Sequence, residues 1–179
     1  MNGIKFGLPP IAPTDARLFI LGSLPGDASL AAKRYYAHPT NQFWRLVGQA
    51  IGEPLERLDY GERLSRLASH RIGLWDVIAS ASRPGSLDQA IRSADHNPLD
   101  GLRRDFPQVH AIAFNGSTAS LAGRKMLGGA VDLALIDLPS SSAANTRPLA
   151  EKAAAWSVLA KYLGSGPCPG GPGAQHGEG

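Results

Sequence analysis

Hydrophobic positions along this chain form short continuous runs, separated by longer stretches in which they recur every three or four residues. The runs are LFIL at Leu18–Leu21, IGLWDV at Ile72–Val77, AIAF at Ala111–Phe114 and LALIDL at Leu133–Leu138. Short apolar runs bounded by glycine, serine or asparagine predict buried strands. Over Asn41–Ile51 the period changes: Phe43, Leu46, Val47, Ala50 and Ile51 line one face of a helix. Further helices are predicted over Pro54–Ala68, Leu99–Phe106, Ser117–Leu127 and Arg147–Tyr162, the last with Pro148 in its first turn, where proline is tolerated. Strands alternating with helices give βαβ units and a largely parallel sheet. No internal repeat is apparent.

The 179 residues, 43% of them hydrophobic, suit one domain with a substantial core. That domain is expected over residues 1–163. Residues 164–179 hold seven glycines and three prolines, have almost nothing to bury, and are expected to form a disordered tail. No apolar run approaches the ~20 residues of a membrane span. The amino terminus lacks the apolar core of a signal peptide. A single cysteine, Cys168, excludes an internal disulfide framework and a cysteine-based zinc site. A reduced, cytoplasmic setting is therefore expected. The net charge of +3 is compatible with nucleic acid and equally with a solvated enzyme surface.

The residues just after each strand are more informative. LFIL leads into Gly22-Ser23-Leu24-Pro25-Gly26, IGLWDV into a small-residue stretch ending Arg83-Pro84-Gly85-Ser86, AIAF into Asn115-Gly116-Ser117, and LALIDL into Pro139-Ser140-Ser141-Ser142. Ligands of open α/β sheets bind beyond the carboxyl ends of the strands. Glycine and serine there let backbone N–H groups and hydroxyls approach an anion such as phosphate; the alternative is a set of tight strand exits with helix caps.

Tyr35, Tyr36, Phe43 and Trp44 crowd into ten residues. Phe43 belongs to the apolar helix face, Trp44 is expected to be partly exposed, and the two tyrosines precede Pro39 in a predicted loop. An exposed ring there offers a π face for stacking a nucleobase. Asn41 stands where a helix cap is expected, or alternatively aims its amide at water or substrate. Asp76 ends an apolar strand, where a carboxylate is costly to bury unless paired; it caps a turn or reads a ligand. The five histidines show no metal-ligand spacing, and neither metal nor cofactor is expected.

GSLPGDASL (22–30), YYAHPTNQFW (35–44), LWDVIASASRPGSLD (74–88), FNGSTA (114–119) and LPSSSAAN (138–145) together resemble the uracil-DNA glycosylase superfamily. The likeness is to its hypoxanthine-DNA glycosylase branch, related to the mismatch-specific thymine/uracil enzymes. It implies a three-layer α/β/α fold with a central four-stranded, mainly parallel sheet. It also implies a monofunctional enzyme that flips a deaminated base from double-stranded DNA and hydrolyses its N-glycosidic bond. In the mismatch-specific relatives the first loop reads GINPG and its Asn activates water; Leu24 stands at that position and cannot. The resemblance places the catalytic Asn at Asn41 and the base-stacking aromatic at Tyr36. It puts Asp76 at a base-reading strand end, and the phosphate and minor-groove contacts in Ser140, Ser141, Ser142 and Asn145. Ala143 and Ala144 supply no large wedge.

Base contacts are also expected from Ser23 and Asn115, whose backbone N–H groups would stabilise a departing base. Asp76 sets a chemical problem. Ionised, it accepts from hypoxanthine N1–H but opposes the negative charge growing on the leaving base. Protonated, it donates to O6; placed farther away, it activates water instead. Asn41 has no basic pKa and would position the water. A monomer is expected. Three alternatives stay open: a mismatch-specific uracil/thymine-DNA glycosylase, a serine hydrolase using Ser23 or Ser140, and a non-catalytic nucleotide- or nucleic-acid-binding module.

Overall fold

The computed structural model describes residues 3–129 and 132–164, so most of the tail expected over 164–179 lies outside the described residues. Its strands are β1 (Ile4–Phe6), β2 (Leu18–Gly22), β3 (Ile72–Asp76), β4 (Ile78–Ser82), β5 (Arg92–His96), β6 (Ala111–Asn115) and β7 (Ala134–Leu138). The four predicted runs are β2, β3, β6 and β7, and they form one sheet in the order β3-β2-β6-β7 with every pairing parallel. All five residues of the inner strand β2 are buried, because both of its faces are covered. Alternation sends Leu18 and Ile20 to one face, against Phe43, Leu46, Val47 and Trp156. Phe19 and Leu21 go to the other, against Leu99, Leu102, Ile112 and Phe114.

The helices are α1 (Asp27–Ala32), α2 (Phe43–Ile51), α3 (Tyr60–Ser69), α4 (Leu102–Asp105), α5 (Ser117–Leu127), α6 (Leu149–Trp156) and α7 (Ala160–Leu163). Helices α2 and α6 cover one face of the sheet, and α4 and α5 the other, which makes the three-layer α/β/α arrangement. The helix expected over Pro54–Ala68 is divided. Leu55–Arg57 is a 3₁₀ turn, and the chain restarts at Asp59, whose carboxylate accepts from Glu62 N–H at 2.8 Å while Glu62 Oε2 accepts from Asp59 N–H at 3.1 Å. That reciprocal cap fixes the start of α3.

The pattern of apolar runs does not predict the second sheet. The residues after IGLWDV, read from sequence as a loop, form β4, which pairs antiparallel with β1 and β5 in the order β1-β4-β5. Only Val77 separates β3 from β4. Val77 N–H donates to Gly22 O at 2.8 Å and Ile78 N–H to Ser23 O at 3.0 Å, so the two sheets are joined at the carboxyl rim of the parallel one. The small sheet packs Ile78 and Ala81 against Leu24. Its β4–β5 connection thereby passes over the same rim.

Candidate active site

The carboxyl ends of β2, β3, β6 and β7 open into a cleft of about 470 Å³. All nine residues singled out from sequence line it: Ser23, Tyr36, Asn41, Asp76, Asn115, Ser140, Ser141, Ser142 and Asn145. They arrive from five separate segments of the chain, and the parallel topology is what brings them to one place.

A chain of hydrogen bonds organises the cleft wall. Asn41 Oδ1 accepts from the N–H of Phe43, the first residue of α2, at 2.9 Å and from the Ser141 hydroxyl at 2.8 Å. Asn115 Nδ2 donates to Ser141 Oγ at 2.9 Å and to the Tyr36 hydroxyl at 3.2 Å. Ser141 N–H returns to Asn115 Oδ1 at 2.9 Å, and Ser141 O accepts from Gln42 N–H at 2.9 Å. Ser141 is fully buried with all its polar groups engaged. The phosphate contact expected of it is therefore not available; it locks the loop after β7 onto the start of α2.

The two ends of the Asn41 amide are in different situations. The Phe43 amide can only donate, so the oxygen must face it and the nitrogen must turn away. Nδ2 makes no hydrogen bond among the described residues and belongs to a side chain lining the cleft. Asn41 thus presents a donor there, with its acceptor already saturated.

Tyr36 is partly buried and takes a left-handed backbone, φ 54°, that a bulky residue rarely adopts. The Ser29 hydroxyl accepts from the next amide, Ala37 N–H, at 3.1 Å and helps hold this turn. The Tyr36 ring stacks on Phe43 with centroids 3.7 Å apart and planes 9° apart. Burial, then the nearby Asp76, raises its phenol well above the ordinary range, so it stays neutral. Two neighbouring aromatics depart from expectation. Tyr35 is buried, its hydroxyl donating to Pro9 O at 2.8 Å, and Trp44 is 4% exposed inside the core.

Asp76 is 3% exposed, and its Oδ2 is buried without a hydrogen-bond partner. Desolvation raises its pKa well above the ordinary 3.8, the negative charge of Asp88 adds to that, and Arg83 opposes it. The residue thus favours its protonated form, through burial, more than a solvated carboxyl does. It is not the turn cap considered from sequence; Gly22 lets it sit close against β2, since a Cβ there would lie 2.6 Å from Asp76 Oδ1 and 3.2 Å from the Tyr36 hydroxyl.

Ser23 is 8% exposed and spends its hydroxyl on Asp88 Oδ1 at 2.7 Å. Ser140 Oγ accepts from Ser142 N–H at 3.2 Å, and Ser142 Oγ from Ala144 N–H at 3.2 Å. Both hydroxyls are acceptors in these bonds, and neither donates its hydrogen among the described residues. Asn145 braces the loop, donating to Ser140 O at 3.3 Å and accepting from Arg147 N–H at 3.1 Å.

Sequence reasoning missed two buried cations. Lys152 has no exposed surface; its Nζ donates to Gln42 Oε1 at 2.9 Å, Ser142 O at 3.2 Å and Asn145 O at 2.8 Å. Its signal was a lysine in the apolar stripe Leu149, Lys152, Ala153, Trp156. Arg83, 1% exposed, donates to Leu24 O and Gly85 O, each at 3.0 Å, and also to Pro25 O. It ties the loop after β2 to the loop after β4. Among the described residues no group of three or more His, Cys, Asp or Glu side chains is gathered as a metal site, and no helix is long and apolar enough to cross a membrane.

The fold and the cleft at its parallel-sheet rim stand beside clear likenesses to known proteins. Residues 9–162 match the uracil DNA glycosylase superfamily. A hypoxanthine DNA glycosylase of Methanosarcina acetivorans is 39% identical over 159 residues, covering 89% of this chain and 99% of the relative. One from Methanosarcina barkeri is 37% identical over 157 residues, covering 88% and 98%. The solution NMR structure of a Methanosarcina acetivorans protein described as a uracil DNA glycosylase superposes with a TM-score of 0.80 at 39% identity, covering 90% of this chain and 99% of that one. Sequence match and fold coincide over nearly the whole described chain, which belongs to the uracil-DNA glycosylase superfamily.

Proposed function

We propose that this chain removes hypoxanthine from double-stranded DNA by hydrolysing the bond between N9 of the base and C1′ of the deoxyribose. The buried, unpartnered carboxyl of Asp76 carries this reading. A base must leave the stack to be reached, at a cost of a few kcal/mol that is least at a mispair. In the cleft, the Tyr36 ring backed by Phe43 gives it a rigid surface. Neutral Asp76 donates its O–H to hypoxanthine O6 and accepts from N1–H with the other oxygen.

As the C1′–N9 bond breaks, its electron pair passes into the purine and charge accumulates on O6, where the acid proton already sits. That contact strengthens in the transition state, which is the condition for catalysis. Adenine pairs with a neutral acid too, but it has no oxygen to receive that charge, so discrimination falls on the rate of cleavage. A water held by Asn41 Nδ2 adds to the sugar cation through its free lone pair and then loses its proton to solvent. Ser140 and Ser142 donate to phosphates beside the flipped nucleotide.

The uracil N3–H and O4 edge presents the same donor–acceptor pair to Asp76, which favours uracil as a second substrate. A serine hydrolase finds no support: the Ser23 hydroxyl is committed to Asp88, and among the described residues no cleft serine hydrogen-bonds a histidine. We place the activity on chromosomal DNA in the cytoplasm, carried out by a monomer. The test is a labelled duplex with one deoxyinosine, incubated with protein and treated with alkali. Strand breaks at the inosine with release of free hypoxanthine are expected; an intact strand in protein excess overturns the reading.

A further inference from the structure

We infer that Leu87 is the wedge that enters the base stack when a nucleotide is flipped into the cleft, an inference that rests on the function just proposed. Leu87 is 54% exposed and lines the cleft, so a large aliphatic side chain meets water at the mouth of a polar site. It lies midway along the β4–β5 connection, beside the loop after β2. The serine loop leaves β7, two strands farther along the sheet, and so borders the other side of the cleft. The apolar residues of that loop that line the cleft are Ala143 and Ala144, both exposed and too small to fill the gap left by an extruded base.

The residues around Leu87 are anchored on several sides. Ser86 Oγ accepts from Asp27 N–H at 2.9 Å, and Asp88 Oδ1 accepts from Ser23 Oγ at 2.7 Å, so both chain neighbours are fixed. Gly85 O accepts from Arg83 Nε at 3.0 Å and from Lys5 Nζ at 2.7 Å. Little backbone entropy remains to be lost when the leucine is driven between bases. Apolar wedges inserted at a base step hold the duplex open by replacing base stacking with side-chain contact. Here the wedge and the phosphate-binding serines sit on opposite rims, so the extruded nucleotide would be gripped by one rim while the hole is filled from the other.

The experiment compares single-turnover hypoxanthine release from a deoxyinosine duplex with release from the same strand alone, for wild type, Leu87→Ala and Leu87→Phe. The ratio of duplex to single-strand rate is expected to fall roughly tenfold or more in Leu87→Ala, as befits losing one buried aliphatic contact, and to recover in Leu87→Phe. An unchanged ratio in Leu87→Ala overturns the wedge, whether both rates fall together or neither does. A 2-aminopurine beside the lesion reports unstacking on binding without bond cleavage. Its fluorescence rise should be lost in Leu87→Ala, and a rise equal to wild type overturns the wedge even if no base is excised. Absence of excision by wild type on either strand form, by contrast, removes the proposed function alone.

Discussion

The Ser141 hydroxyl donates to Asn41 Oδ1 at 2.8 Å, bridging the loop after β7 and the start of α2. With the Phe43 amide on the same oxygen, this bond decides which end of the Asn41 amide is engaged within the protein. The relation assigns the oxygen to building the site and leaves the nitrogen for the water proposed above.

Asn41→Asp and Asn41→Ala split those roles. Aspartate keeps an acceptor for Phe43 and Ser141 but replaces the cleft-facing donor with an oxygen. Both variants are expected to lose excision by about 100-fold or more, the typical effect of removing one oriented donor. Only Asn41→Ala should also lower the melting temperature, because it alone leaves the Phe43 amide and the Ser141 hydroxyl without their acceptor. Thermal melts beside single-turnover rates check this, and wild-type activity in Asn41→Asp would show that the donor is not used.

Asp76 makes a prediction of opposite sign to that of an ordinary paired carboxylate. Its pKa in the folded protein is raised above the ordinary 3.8, so above that value the unfolded chain releases a proton that the folded one keeps. Folding then takes up a proton, and stability falls as pH rises through the window between the ordinary and the raised value. Asp76→Asn, which cannot ionise, should lose this fall and be the more stable protein above the window. Excision by wild type should also decline on the alkaline side as the acid proton is lost, while Asp76→Asn keeps a weaker amide donor and a flatter profile. Denaturant melts and rates measured across pH decide both points.

The parallel sheet was legible because continuous apolar runs such as LFIL and AIAF have few alternatives to a strand buried on both faces. The small antiparallel sheet was not, because ASAS and RSADH are short in large apolar residues and acquire strand character only by pairing with distant partners. The cleft residues were readable as small and polar groups after strands. Their division of labour was not: that Ser141 is sealed while Ser140 and Ser142 are open depends on which hydroxyl meets Asn115. Trp44 and Tyr35 were misjudged for a related reason, since the local pattern does not say what packs on the back of a helix.

Lys152 is expected to matter more than any exposed lysine. Its ammonium satisfies three acceptors beneath the serine loop, and burial, then Arg147, holds its pKa below the ordinary lysine value. Lys152→Met removes the charge while keeping the stem, and leaves Gln42 Oε1, Ser142 O and Asn145 O without their shared donor. The cost should be about 2–4 kcal/mol in stability, by the usual penalty for stranded buried acceptors. Because the loop loosens as well, binding to a duplex with a non-cleavable deoxyinosine analogue should weaken. Chemical denaturation and a binding titration measure the two effects.

Gly22 closes β2 where the backbone passes Asp76 and Tyr36. A Cβ there would stand 2.6 Å from the Asp76 carboxylate and 3.2 Å from the Tyr36 hydroxyl. Neither neighbour has room to give freely: Asp76 is buried at the end of β3, and the Tyr36 ring is held by Phe43 and its hydroxyl by the Asn115 amide. In Gly22→Ala the carboxyl must therefore swing away from its position in the cleft, taking the acid proton with it. Excision is expected to fall about 100-fold, comparable with loss of a preorganised donor. Adding a methyl at a tight site costs typically about 1–3 kcal/mol of stability, which leaves the fold intact in a melt. Near-wild-type rates in Gly22→Ala would mean that the position of Asp76 against β2 is not what the reaction depends on.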